Sequence, residues 1–162
     1  MMQHYFDDIG DYLDSSGQLN RNFLDEHNFC SILVIDRPYP EDLDAISGSF
    51  PPGNLDEPVL IITITKQSEP ADRQKLTGCD AIWQGLSENF FLNQFLVTKD
   101  FFLWSPVDSD YFVVATNRSN SNCIDLLGQK AMAEIQELLD EDSLSKLEKE
   151  FLLNGIKKYQ RN

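Results

Sequence analysis

The chain has 162 residues and 18.6 kDa, with 27 Asp and Glu against 13 Lys and Arg, a formal charge of −14. Such a balance repels phosphate backbones, whose capture depends on Lys and Arg releasing counterions, and it argues against direct nucleic-acid binding. Hydrophobic residues at 41%, with eleven Phe, five Tyr and two Trp among them, suffice for a packed core, so the charge does not imply disorder and the length suits a single domain over 1–162.

Tyr5, Phe6, Ile9, Tyr12 and Leu13 fall on one face of an expected α-helix over 5–13, and Ser15, Ser16 and Gly17 stop it. Its opposite face is Asp7, Asp8, Asp11 and Asp14. Like charges stacked in this way cost about 0.2–0.5 kcal/mol per pair, so helix stability alone does not select the stripe. A short helix or turn over 20–28 precedes Phe29 to Ile35, a β-branched run that reads as a buried strand ending at Asp36. Residues 38–57 are rich in Pro and acid, with Tyr39, Glu41, Asp42, Asp44, Phe50, Asp56 and Glu57. They read as a long surface loop with at most one helical turn near Leu43 to Ile46.

Val59 to Thr65 is the clearest strand, and a polar segment, 67–78, follows it. Ile82, Trp83, Leu86 and Phe90 suggest a helix over 80–92. Phe95 to Val97 and Phe101 to Trp104 read as strands, the latter forming a hairpin with Tyr111 to Thr116 across a turn-rich 105–110. Ile124, Leu127, Ala131, Ile135, Leu138 and Leu139 predict a helix capped by Asn120 or Ser121. After a break at 140–143, Leu144, Leu147, Phe151, Leu152, Ile156 and Tyr159 predict a last one, ending in Lys157, Lys158 and Arg161. Strands in the middle and helices at both ends predict an α+β fold: a central antiparallel sheet with N-terminal and C-terminal helices packed on one face.

Cys30, Cys79 and Cys123 are too few and too dispersed for a disulfide framework. The start is acidic where a signal peptide needs a basic flank, and no apolar run approaches the roughly 18 residues of a membrane span, so a reduced cytoplasmic setting is expected. His27 and Cys30 have the spacing of two metal ligands, but His4 is the only other His, and Cys30 reads better as the apolar start of a strand. No nucleophile elbow is present. Gly48 to Gly53 lacks the Lys and Ser/Thr of a phosphate loop, and Asn117-Arg118-Ser119 matches a glycosylation acceptor only by chance. The expectation is a non-enzyme with no catalytic residues, no metal and no cofactor.

What remains is acid interleaved with aromatics. The first sixty residues carry twelve carboxylates against Arg21 and Arg37 alone. Tyr39 stands beside Glu41, Asp42 and Asp44, and Phe50 stands near Asp56 and Glu57. Interfaces take their strongest contacts from aromatics, and a charged surround speeds encounter with an opposite charge. Trp104, beside the Asp108/Asp110 hairpin tip, reads better as core.

Small size, acidity, an α+β make-up and the hairpin Phe-Phe-Leu-Trp-Ser-Pro-Val-Asp-Ser-Asp-Tyr-Phe-Val-Val-Ala at 101–115 resemble the immunity proteins that bacteria make against their own polymorphic or contact-dependent growth-inhibition toxins. The resemblance implies a cytoplasmic, non-enzymatic inhibitor that binds one toxin domain, often a nuclease with a basic cleft. It transfers no site residue position by position. The expected function is an acidic inhibitor that binds a basic toxin domain one to one, as a monomer, with no membrane partner. Asp7, Asp8, Asp11 and Asp14, with Glu41, Asp42, Asp44, Asp56 and Glu57, would neutralise the partner, and Tyr39 and Phe50 would anchor it. The alternatives are an acidic secretion chaperone, typically a homodimer holding an unfolded effector, and an enzyme using a carboxylate pair with a divalent metal.

Overall fold

Five largely buried, mostly apolar runs and one polar edge strand pair into one sheet. The structure is a computed structural model and describes residues 2–50, 55–65, 71–106 and 110–160. Its strands are β1 (Phe29–Ile35), β2 (Val59–Ile64), β3 (Asp72–Leu76), β4 (Asn93–Val97), β5 (Phe101–Ser105) and β6 (Tyr111–Asn117). They lie in the order β1-β6-β5-β4-β2-β3 with every neighbouring pair antiparallel. The helices are α1 (Arg21–Glu26), α2 (Pro40–Gly48), α3 (Cys79–Ser87), α4 (Ser121–Asp140) and α5 (Lys146–Tyr159). The fold is α+β. The 101–116 hairpin forms as expected, with Trp104 opposite Val113.

Helices cover both faces of the sheet rather than one. β4, β5 and nearly all of β6 are buried at every residue, so neither face is left for water. One face presents Phe29, Leu33, Phe95, Phe102, Trp104 and Val113 to the N-terminal segment, α1 and α5. The other presents Cys30, Ile32, Ile61, Leu96, Leu103 and Val114 to α2, α3 and the first half of α4. Burial of side chains this large stabilises by about 1.5–3 kcal/mol each. Gly128 lets α4 sit directly on β1, since a Cβ there would lie 2.9 Å from Ile32 Cγ2.

Both sheet edges are guarded, by different means. At β1 the end of α5 caps the strand: the Ser31 hydroxyl donates to the Tyr159 carbonyl, and the Leu33 amide donates to Gln160 Oε1 at 2.7 Å. At β3 the guard is charge, with Asp72, Arg73, Gln74 and Lys75 all exposed. That strand is the element the polar segment 67–78 conceals, because an edge strand open on both sides shows no apolar alternation.

Two further expectations are corrected. The N-terminal helix over 5–13 is instead two 3-10 segments, Met2–Phe6 and Ile9–Tyr12, interrupted at Asp7 and Asp8. Phe6, Ile9 and Tyr12 recur every third residue, the 3-10 period, so the tighter turn keeps all three on the side that faces the sheet. The long loop over 38–57 contains α2, nine residues long. Pro40 sits at its first turn, where the missing amide costs nothing, and Asp42 Oδ2 accepts from the Tyr39 amide at 2.8 Å. The Pro51-Pro52-Gly53-Asn54 turn and Asp108 lie outside the described residues.

Candidate functional site: an acidic surface beside a groove

The sheet separates the two acidic groups that lie close in sequence. Phe6, Ile9 and Leu13 anchor the N-terminal turns on the face that carries Phe95 and Phe102, so Asp7, Asp8 and Asp11 are exposed on that side. Leu43 and Ile46 anchor α2 on the opposite face, so Glu41, Asp42 and Asp44 lie across the sheet from them. A single flat partner surface does not meet both groups.

Several expected partner-binding residues have other employment. Phe50 is 3% exposed and stacks on Phe101 with ring centroids 5.1 Å apart. It is core, because the apolar residues after α2 close over the second face, and it is not a surface anchor. Asp14 is half-buried and holds the turn before α1: its Oδ1 accepts from the Ser16 amide (2.9 Å), the Ser16 hydroxyl (2.6 Å) and the Gln18 amide (3.0 Å). Burial opposes ionisation of Asp14, but these donors, with Lys158 at 3.8 Å, outweigh it and lower its pKa. Glu57 pairs with Lys99 at 3.9 Å at the end of the sheet, beside an exposed Asp56. Tyr39 is 45% exposed at the start of α2, placed as an anchor would need.

Around α2 the carboxylates gather. Asp36, ending β1 in the left-handed region at φ 75°, and Asp80, in the first turn of α3, join Glu41, Asp42 and Asp44. None of these five is in an ion pair with a cation among the described residues. Their mutual field is visible in the groups they surround. Burial raises the Asp42 pKa; the Tyr39 amide opposes this, Glu41 and Asp36 add to the rise, and Lys130 on α4 offsets part of it. The Cys79 thiol is pushed up to about 11, by burial first and then by a hydrogen bond to Asp44 and the charges of Asp44, Asp80 and Glu41. Asp36 and Asp80 escape sequence reasoning because only the packing of α2 against β1 and α3 brings them in.

Between α2 and α4, over β1 and β6, lies a shallow groove of about 60 Å³ walled by Val34, Ala45, Ile46 and Leu127. Asp42, Lys130 and Glu134 stand around it. A larger cavity of about 280 Å³ lies between α4, β1 and the end of α5, with Cys30, Ile124, Asp125, Gln129 and Met132 in its wall. Burial raises the Cys30 pKa, the reverse of what an activated thiolate needs, and its thiol faces the Thr116 carbonyl at 3.6 Å. His27 is on the other side of the sheet, among Tyr5, Tyr12, Phe23 and Phe29 at 4.6–5.9 Å between ring centroids. The two do not form a ligand pair. Among the described residues no three His, Cys, Asp or Glu lie close enough to hold a metal ion, and no helix is long and apolar enough to cross a membrane.

The two strands of the hairpin that carries the resemblance to immunity proteins are core, with Trp104 Nε1 donating to Asn93 Oδ1 at 2.5 Å, while Asp110 at its turn is exposed. Comparison with protein-family models, with characterised proteins and with solved structures gives no match. What the arrangement offers chemically is a dense negative field beside an apolar slot and an exposed Tyr.

Proposed function

We propose that this chain is a non-enzymatic acidic binding protein that captures a basic protein and blocks its working surface one to one, as an immunity protein does to a toxin nuclease. The observation that carries the reading is the set of five carboxylates at Asp36, Glu41, Asp42, Asp44 and Asp80, gathered around α2 and in no ion pair among the described residues. A fold at equilibrium with water alone gains nothing by crowding like charges. A basic cleft built for phosphate would neutralise them, and the field they create would speed the encounter. Tyr39, exposed beside Glu41 and Asp42, supplies the aromatic contact. Asp7, Asp8 and Asp11, on the far side, contribute long-range attraction only.

The test is capture of partners from the native host at low and high salt, with the product of the adjacent reading frame included. The expected result is a stoichiometric basic protein whose toxicity is lost in the complex. Glu41→Lys with Asp44→Lys is expected to weaken capture, and to flatten its salt dependence, far more than Asp7→Lys with Asp11→Lys. Equal losses from the two pairs would sink the site assignment. The chaperone reading draws on Leu147 (77% exposed) and Phe151 (43%) on α5, although that helix spends Leu152 and Tyr159 on the sheet. A homodimer that holds an unfolded effector segment would establish it instead.

A further inference from the structure

We propose that the groove between α2 and α4 is a receptor slot for a single arginine side chain of the basic partner, its methylenes on Val34, Ala45, Ile46 and Leu127 and its guanidinium between Asp42 and Glu134. This rests on the basic-partner reading and names the contact that would give it specificity.

The size, wall and charge of the groove each point to that occupant. At about 60 Å³ the groove is small, with room for the tip of one side chain between the two helices rather than for a helix or strand. The wall is apolar, which suits a long aliphatic stem and disfavours a short polar side chain. The rim carries a carboxylate from each helix, Asp42 from α2 and Glu134 from α4, with Lys130 of α4 as its one cation among the described residues. Asp42 Oδ2 is committed to the Tyr39 amide, and no hydrogen bond within the chain engages Oδ1 among the described residues.

Charge then selects the head group. A half-buried carboxylate beside Glu41 and Asp36 is costly to ionise, and that cost is the source of the raised Asp42 pKa. The nearest relief within the chain is Lys130 on α4, exposed and in no ion pair with Asp42 or Glu134 among the described residues. A planar guanidinium donates from several edges at once and is less strongly hydrated than an ammonium, so it can bridge carboxylates on two helices where a lysine engages one.

The probe is a pair of capped pentapeptides, Gly-Leu-Arg-Leu-Gly and its Lys counterpart, titrated at low ionic strength into the full chain and followed by amide chemical shifts. Saturable shifts at residues 34, 45, 46, 127 and 134 are expected for the Arg peptide, with the Lys peptide weaker. Asp42→Asn and Glu134→Gln should each weaken the Arg peptide about tenfold, as removal of a charge-assisted hydrogen bond does. Lys130→Gln should tighten it about two- to threefold, because a competing cation leaves the rim. Asp7→Asn with Asp11→Asn should change nothing. Shifts confined to the N-terminal acids, equal response to the two peptides, or indifference to both rim variants would each overturn the slot. The wider reading fails separately, when chain with Glu41 and Asp44 reversed still captures its partner at full strength.

Discussion

Phe50 is where the aromatic-anchor expectation and the structure part, so its removal is the sharpest test of the packing described above. The ring is 3% exposed, stacks on Phe101 at 5.1 Å with 25° between planes, and belongs to the cluster that seats α2 and α3 on the sheet. Phe50→Ala removes the transfer free energy of a buried aromatic and leaves a void between two helices and a sheet that relaxes only in part. The expected loss is about 3–5 kcal/mol, a large share of the 5–15 kcal/mol of a typical domain. At about 2–4 °C per kcal/mol for a chain of this size, the melting point should drop by about 6–20 °C. Urea unfolding followed by tryptophan fluorescence reads this well, because Trp104 is fully buried in the same sheet. The slope with urea should stay unchanged while the midpoint falls. Phe50→Leu should recover most of the loss. Had Phe50 been an anchor, the alanine variant would instead keep its midpoint and lose partner affinity, and a destabilisation below about 1 kcal/mol would refute its assignment to the core.

Tyr159 ties the end of the chain to its start, its hydroxyl donating to the Leu19 carbonyl at 2.8 Å in the interior. Tyr159→Phe strands that carbonyl and should cost about 1–3 kcal/mol in urea unfolding; no loss would mean that the bond is not made. Burial pushes the Tyr111 hydroxyl up to about 12 and raises that of Tyr159 further, so both stay neutral in the fold after the unfolded chain begins to ionise near its ordinary 10. The stability due to them is therefore complete below pH 10 and is lost as pH rises from 10 through the folded values, Tyr111 alone accounting for about 2–3 kcal/mol. Tyr111→Phe should flatten the alkaline limb, and an unchanged limb would rule out this cause. At the start of α5, Ser145 Oγ accepts from the Glu148 amide at 3.2 Å while Glu148 Oε2 accepts from the Ser145 amide at 2.7 Å. Ser145→Ala should cost about 0.5–2 kcal/mol by thermal unfolding, with Ser145→Asp near neutral.

Much of the fold is legible in the residues because burial leaves a local pattern. Phe29 to Ile35, Val59 to Ile64 and Tyr111 to Thr116 are strands in any context, since β-branched and aromatic runs of that length have few other ways to hide. The α4 and α5 faces follow from helical spacing alone. Where the chain is short of apolar residues the pattern fails: Asp72 to Lys75 pair with β2 only because an edge is available, and Pro40 to Gly48 coil only because Leu43 and Ile46 have a sheet to lie on. Acidity belongs to the same divide. Composition alone determined the sign of the charge, because net charge needs no geometry. Only the tertiary structure decided that Asp7 and Asp42 lie on opposite faces of one sheet, that Asp36 and Asp80 join the second group, and that Phe50 turns inward. The reason is the alternation of a strand: residues Phe29 and Cys30, adjacent in β1, face opposite sides, and each side gathers helices from distant parts of the chain.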